Sequence, residues 1–115
     1  MNTTTVRTER VNVRLDTHVS AVLTSEAAWR RCTRSDLAAA LIAWHLDTGP
    51  APALADPPRP RPTGPAPTLH TSFTLPAGLW NTFRDTCCAG GRTAPATLTR
   101  LLRWMLGDET PPPRH

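Results

Sequence analysis

A chain of 115 residues with 13 Arg, no Lys, 9 acidic residues and 13 Pro has room for one ordinary domain, since two would need about 200 residues or more. Hydrophobic residues make up 39% and aromatics 5%, so any single core is modest and a large enzyme with a deep buried cleft is not expected. The formal charge of +4 rests on guanidinium groups alone, whose forked donors suit phosphates and base edges, although an all-Arg composition also follows from a GC-rich genome.

Residues 1–8 are polar and read as a flexible N-terminal arm. Arg10 to Leu15, RVNVRL, then alternates Val11, Val13 and Leu15 with Arg10, Asn12 and Arg14, the period-2 pattern of a half-buried strand. Asp16 or Thr17 supplies an N-cap. Val19, Val22, Leu23 and Ala27 follow at helical spacing, predicting a helix of about fifteen residues. Thr33 opens T-R-S-D, a capping box in which Asp36 reaches back to the Thr33 amide. The second helix presents Leu37, Ala38, Leu41, Ile42 and Trp44, and Gly49-Pro50 stops it.

Residues 50–67, PAPALADPPRPRPTGPAP, hold eight Pro in eighteen positions. Such a segment lacks the apolar surface to fold and favours extended polyproline geometry, spanning up to roughly 55 Å. It is read as a spacer. Beyond it the first order returns. Thr71, Phe73 and Leu75 alternate with His70, Ser72 and Thr74, and Pro76 falls where a first helical turn tolerates proline. Leu79, Phe83 and Cys87 keep helical spacing up to Gly90-Gly91. Thr93 caps the next helix, with Pro95 in its first turn, a stripe of Leu98, Leu101, Leu102 and Met105, and Gly107 at its close. A tail over 109–115 is expected to be flexible.

An offset of 60 without a gap superposes Leu15 on Leu75, Thr33 on Thr93, Leu41 on Leu101, Trp44 on Trp104 and Leu46 on Leu106. Matching caps, apolar classes and turns, rather than identity, mark an internal repeat of two units, 9–49 and 68–108. A lone strand with two short helices cannot bury its apolar face and leaves a strand edge unpaired. Two copies solve both problems. The strands pair antiparallel and the four helices cover one side. Val11, Val13, Leu15, Thr71, Phe73 and Leu75 then face the helices, and Arg10, Asn12, Arg14, His70, Ser72 and Thr74 face solvent. The fold class expected is mainly α with a short two-stranded antiparallel β-ribbon.

Other chemistries find little support. Cys32, Cys87 and Cys88 form no C-x-x-C pair, which fits a reducing cytoplasm better than a zinc knuckle or disulfide framework. Cys87 and Cys88 match Ala27 and Ala28 and read as small packing residues. His18, His45, His70 and His115 show no ligand spacing, so no metal or other cofactor is expected. No G-x-S-x-G, H-E-x-x-H or Gly-rich phosphate loop appears, and a non-enzyme is expected. MNTTTVRTER lacks a secretory apolar run, and the longest apolar stretch, Leu37 to Trp44, has eight residues against the ~20 of a membrane span. A cytoplasmic protein without a membrane partner is expected.

The strand RVNVRL, the capped turn CTRSD and the two helices resemble the ribbon-helix-helix regulators of the Arc and MetJ kind, in two copies covering about 80 of the 115 residues. The resemblance implies a tandem ribbon-helix-helix (β-α-α, linker, β-α-α) forming a pseudo-dimer. It further implies that the ribbon enters the major groove of double-stranded DNA. Outward strand side chains would read bases, and the N-terminus of each second helix would hold phosphate. Arg10 and Arg14 would each take guanine O6 and N7, and Asn12 adenine N6 and N7. His70, Ser72 and Thr74 would donate or accept singly. This asymmetry implies either a non-palindromic pair of half-sites or a second copy kept mainly for pairing. Phosphate contacts would come from Arg7, Thr33, Arg34, Ser35 and Thr93. The second anchor is the poorer, because Ala94 and Pro95 replace Arg34 and Ser35. Trp44 and Trp104 fall late in their helices and read as packing residues in the core or where the copies meet.

The function expected is that of a bacterial, nucleoid- or plasmid-associated DNA-binding regulator. Its output would be transcriptional repression, plasmid partition, copy control or conjugation. Two other classes remain open. An antitoxin would use the linker or tail to wrap a toxin partner, although that segment lacks an amphipathic neutralising helix. A protein-binding adaptor would keep the fold without DNA. The spacer lets strands pair within one chain, as a monomeric pseudo-dimer, or between two, as a homodimer.

Overall fold

Alternation of apolar and polar side chains sets two nine-residue strands, β1 (Thr8–Asp16) and β2 (Thr68–Pro76). Each is followed by two helices in a computed structural model that describes residues 7–55, 58, 67–107 and 110–112. α1 (Thr17–Trp29) and α2 (Arg34–His45) follow β1, and α3 (Leu79–Ala89) and α4 (Ala94–Met105) follow β2. The strands form one antiparallel two-stranded sheet in which Thr8 faces Pro76, Asn12 faces Ser72 and Asp16 faces Thr68. One face of it is closed. Val13, Leu15, Phe73 and Leu75 are at most 1% exposed and pack with Leu23, Leu41, Ile42, Phe83, Leu98, Leu101, Leu102 and Met105 from the four helices. Each such fully buried Leu or Phe contributes about 1.5–3 kcal/mol, which no single strand with two helices could collect.

The offset of 60 seen in the sequence recurs in four of the six elements, whereas α3 starts two residues late relative to α1. β1 and β2, and α2 and α4, have bounds that differ by that number. Asn12 lies opposite its own counterpart, Ser72, so a local two-fold passes through that pair. Two hydrogen bonds extend the ribbon by one residue at each end, from Thr17 N–H to Pro67 O at 3.1 Å and from Ala77 N–H to Arg7 O at 2.8 Å. They are counterparts under the same offset. Trp44 and Trp104, also counterparts, meet with ring centroids 4.5 Å apart, in the packing role expected of them.

Helix ends show where local signals succeed and fail. Asp16 caps α1 by accepting from the His18 and Val19 amides, as expected, though the helix has 13 residues rather than fifteen. α2 does not run to Gly49-Pro50. It ends at His45, and Asp47 adopts φ 63. The Asp47 amide bonds Trp44 O and the Thr48 amide bonds Ala43 O, the paired closure of a Schellman motif. Arg31 closes α1 the same way at φ 58, where its counterpart Gly91 closes α3 at φ 75. Pro76 is not in a first helical turn but ends β2, and α3 starts after Gly78, whose φ of 85 turns the chain. Thr93 sits at the N-cap position of α4 but makes no side-chain cap bond. Cys87 is buried as expected of a packing residue, whereas Cys88 is exposed.

The spacer expected over 50–67 falls partly on residues 56–57 and 59–66, outside the described residues. Of its described part, Ala55 is buried and donates its N–H to Met105 O at 2.8 Å. Residues 1–6 of the arm also lie outside, and Thr8 already belongs to β1. In the tail, Arg100 donates to the backbone and hydroxyl oxygens of Thr110, each at 3.1 Å, and Pro112 is buried.

Candidate nucleic-acid interface

Because side chains alternate across a strand, burying Val11, Val13, Leu15, Thr71, Phe73 and Leu75 turns Arg10, Asn12, Arg14, His70, Ser72 and Thr74 to the opposite face. Five of these are exposed and Ser72 is half-buried. Register arranges the six as three cross-strand pairs: Arg10 with Thr74, Asn12 with Ser72, and Arg14 with His70. The Ser72 hydroxyl donates to Asn12 Oδ1 at 2.7 Å, which orients the carboxamide at the centre of the face. Arg14 Nε donates to His70 Nε2 at 3.5 Å, at the outer limit of a hydrogen bond. Arg10 and Arg14 stand four residues apart on one strand, about 14 Å at the rise of an antiparallel strand. Each end of the ribbon therefore carries one guanidinium.

The first turn of α2 flanks this face. Thr33 Oγ1 accepts from the Asp36 amide and Asp36 Oδ2 accepts from the Thr33 amide, both at 3.0 Å, the capping box read from T-R-S-D. Those bonds, the backbone one foremost, hold the Asp36 carboxyl below the usual carboxylate range. The box occupies the Asp36 amide, and the Arg34 and Ser35 amides precede it in the turn. Ser35 Oγ accepts from the Thr74 amide at 2.8 Å, tying α2 to the edge of the opposite half's strand. Arg7 is exposed, and its carbonyl is the acceptor for Ala77.

α4 makes a different end. Thr93 O accepts from the Thr97 amide and hydroxyl at 3.1 and 2.8 Å, the Thr93 hydroxyl caps nothing, and Pro95 stands in the first turn. The cause lies three residues on. The counterpart of Asp36 is Ala96, which has no carboxylate to complete a box. Thr93 instead lines an open cleft of about 240 Å³ with Arg92, Ala96, Thr97, Arg100 and Pro112.

Two contacts carry no local sequence signal. Glu9 Oε1 accepts from the Gly78 amide at 3.2 Å, placing a carboxylate at the N-terminus of α3, where the helix dipole favours it. The Ser35 to Thr74 bond joins residues 39 apart. Both depend on how the halves dock.

Other sites are sparse. Among the described residues no group of three or more His, Cys, Asp or Glu side chains could hold a metal ion, and no helix is long and apolar enough to cross a membrane. Cys32, Cys87 and Cys88 are free thiols, and burial pushes the Cys87 thiol up, away from the reactive thiolate. Comparison with protein-family models, curated proteins and solved structures finds no match to this chain.

Proposed function

We propose that this chain is a sequence-specific double-stranded DNA-binding protein of the ribbon-helix-helix kind. Its two β-α-α units take the parts of the two subunits of a dimer, and the two-stranded ribbon enters the major groove. One observation carries the proposal. Six polar side chains, two of them Arg and one Asn, share the open face of a ribbon whose other face is sealed by the core. A two-stranded ribbon fits the major groove, which is about 12 Å wide. Arg10 and Arg14 take guanine O6 and N7, Asn12 takes adenine N6 and N7, and His70, Ser72 and Thr74 make single contacts. The α2 N-terminus with Thr33, Arg34 and Ser35 holds one phosphate through amides, hydroxyl and guanidinium. Arg7 and Thr93 supply further backbone contacts. The output is that of a bacterial regulator: repression of transcription, or plasmid partition, copy control or conjugation.

The test is duplex binding measured by fluorescence anisotropy on genomic fragments across a salt series. Affinity should fall steeply as salt rises, as counterion release requires of a protein that neutralises several phosphates. An R10A/N12A/R14A variant removes the three bidentate readers and should lose on the order of 100-fold or more in affinity for the preferred duplex. Its melting temperature should stay unchanged, because all three side chains point away from the core. Equal binding by wild type and variant would defeat the proposal.

A further inference from the structure

A ribbon built from two identical strands reads a palindrome, because each reader on one strand reappears across the two-fold. Here the two-fold passes through Asn12 and Ser72, the one pair whose members face their own counterparts. Arg10 has His70 as its counterpart and Thr74 as its partner across the ribbon. Arg14 has Thr74 as its counterpart and His70 as its partner. A symmetric ribbon of β1 sequence would carry two Arg at each end. This one carries a single Arg at each end, both from β1, beside a different polar neighbour. His70 and Thr74 are exposed on the same face as the arginines, and Ser72 and His70 hydrogen-bond to the readers opposite them. The second strand is therefore part of the open surface and not only a pairing partner.

The anchors differ in the same sense. At the Thr74 end, and so beside Arg10, Ser35 ties the α2 N-terminus to the strand, and that helix has a complete capping box. The counterpart of the Ser35–Thr74 contact would join Pro95 to the Arg14 amide. Proline has no hydroxyl to accept it, and α4 has no side-chain cap.

We infer that a single chain reads an asymmetric operator. Its two half-sites each offer a guanine, to Arg10 and to Arg14, but differ at the neighbouring base faced by Thr74 or His70 and in how firmly their phosphates are held. This rests on the DNA-binding function proposed above and deepens it.

The test is selection from a randomised duplex library with the full chain, followed by anisotropy and a stoichiometry titration on the selected site. One chain per site and a motif that is not its own reverse complement are expected. Arg10→Ala should relax guanine preference in one half-site, and Arg14→Ala in the other, each on the order of 10-fold or more. A His70→Arg, Ser72→Asn, Thr74→Arg variant makes the outer face two-fold symmetric and should turn the selected motif into a palindrome. Its melting curve, matched to wild type, shows that the change acts at the surface. A palindromic wild-type motif, two chains per site, or a motif unmoved by the triple variant would overturn this inference and leave DNA binding standing. A library from which wild type enriches no duplex would overturn both.

Discussion

Thr71 is the point at which the sealed face of the ribbon is least well made. It lies opposite Val13, is 3% exposed, and its hydroxyl has no hydrogen-bond partner among the described residues. Its counterpart in the first half is Val11, so the same place in the other strand holds a side chain of the same shape with a methyl in place of the hydroxyl. A buried hydroxyl without a partner costs about 1–3 kcal/mol, and the added methyl recovers up to ~0.8 kcal/mol of apolar burial. Thr71→Val should therefore stabilise the protein by at least about 1 kcal/mol. For a domain of this size that raises the melting temperature by at least about 4 °C. Urea denaturation followed by circular dichroism measures it, with a higher midpoint at an unchanged slope. Because Thr71 points toward the helices, duplex affinity should not move. A variant no more stable than wild type would mean that the hydroxyl is satisfied, and would refute the account of this face.

The other expectations concern helix ends. Arg31→Gly and Asp47→Gly put glycine at left-handed positions whose counterparts are already Gly91 and Gly107, so each should gain about 0.5–1 kcal/mol in a urea titration. Thr33→Ala breaks the capping box and should cost about 1 kcal/mol, whereas Thr93→Ala, which removes no cap bond, should change stability by less than about 0.5 kcal/mol. The Asp36 carboxyl is held below its ordinary value in the folded chain, so its contribution is fully present above the unfolded pKa of about 3.9 and is lost as pH falls through the lowered folded value. Urea midpoints taken from pH 6 down to pH 2 should show wild type losing its advantage over Asp36→Asn in that acid window, and a constant difference would contradict the box.

What the sequence revealed of the fold was whatever is written locally. Period-2 alternation fixed both strands and their inward faces, and T-R-S-D fixed one helix start. The C-termini are not legible where the left-handed residue is not glycine. Asp47 and Arg31 share the positive φ of Gly107 and Gly91, yet neither residue type signals a stop, and the first glycine after α2 is Gly49. Thr93 misled for the opposite reason. The residue type was right for a cap, but capping needs a reciprocal partner three residues on, and Ala96 is not one. Proline suits a first helical turn, but the pairing of Pro76 with Thr8 keeps it in the ribbon.

The six outward side chains were legible for the same local reason, since parity alone puts them on one face. Their pairing was not. Sliding β2 by two residues would expose the same six and keep the same core face, yet it would take Asn12 off the two-fold and set Arg10 and Arg14 against other neighbours. Register is set by contacts far apart in the chain. Thr17 with Pro67 and Ala77 with Arg7 clamp the two ends of the ribbon, and Ser35 holds the Thr74 amide. Trp44 on Trp104 joins two helix residues 60 apart in sequence, as Asn12 on Ser72 does in the ribbon. The chemistry of the open face depends on that register, because it sets Arg10 beside Thr74 and Arg14 beside His70.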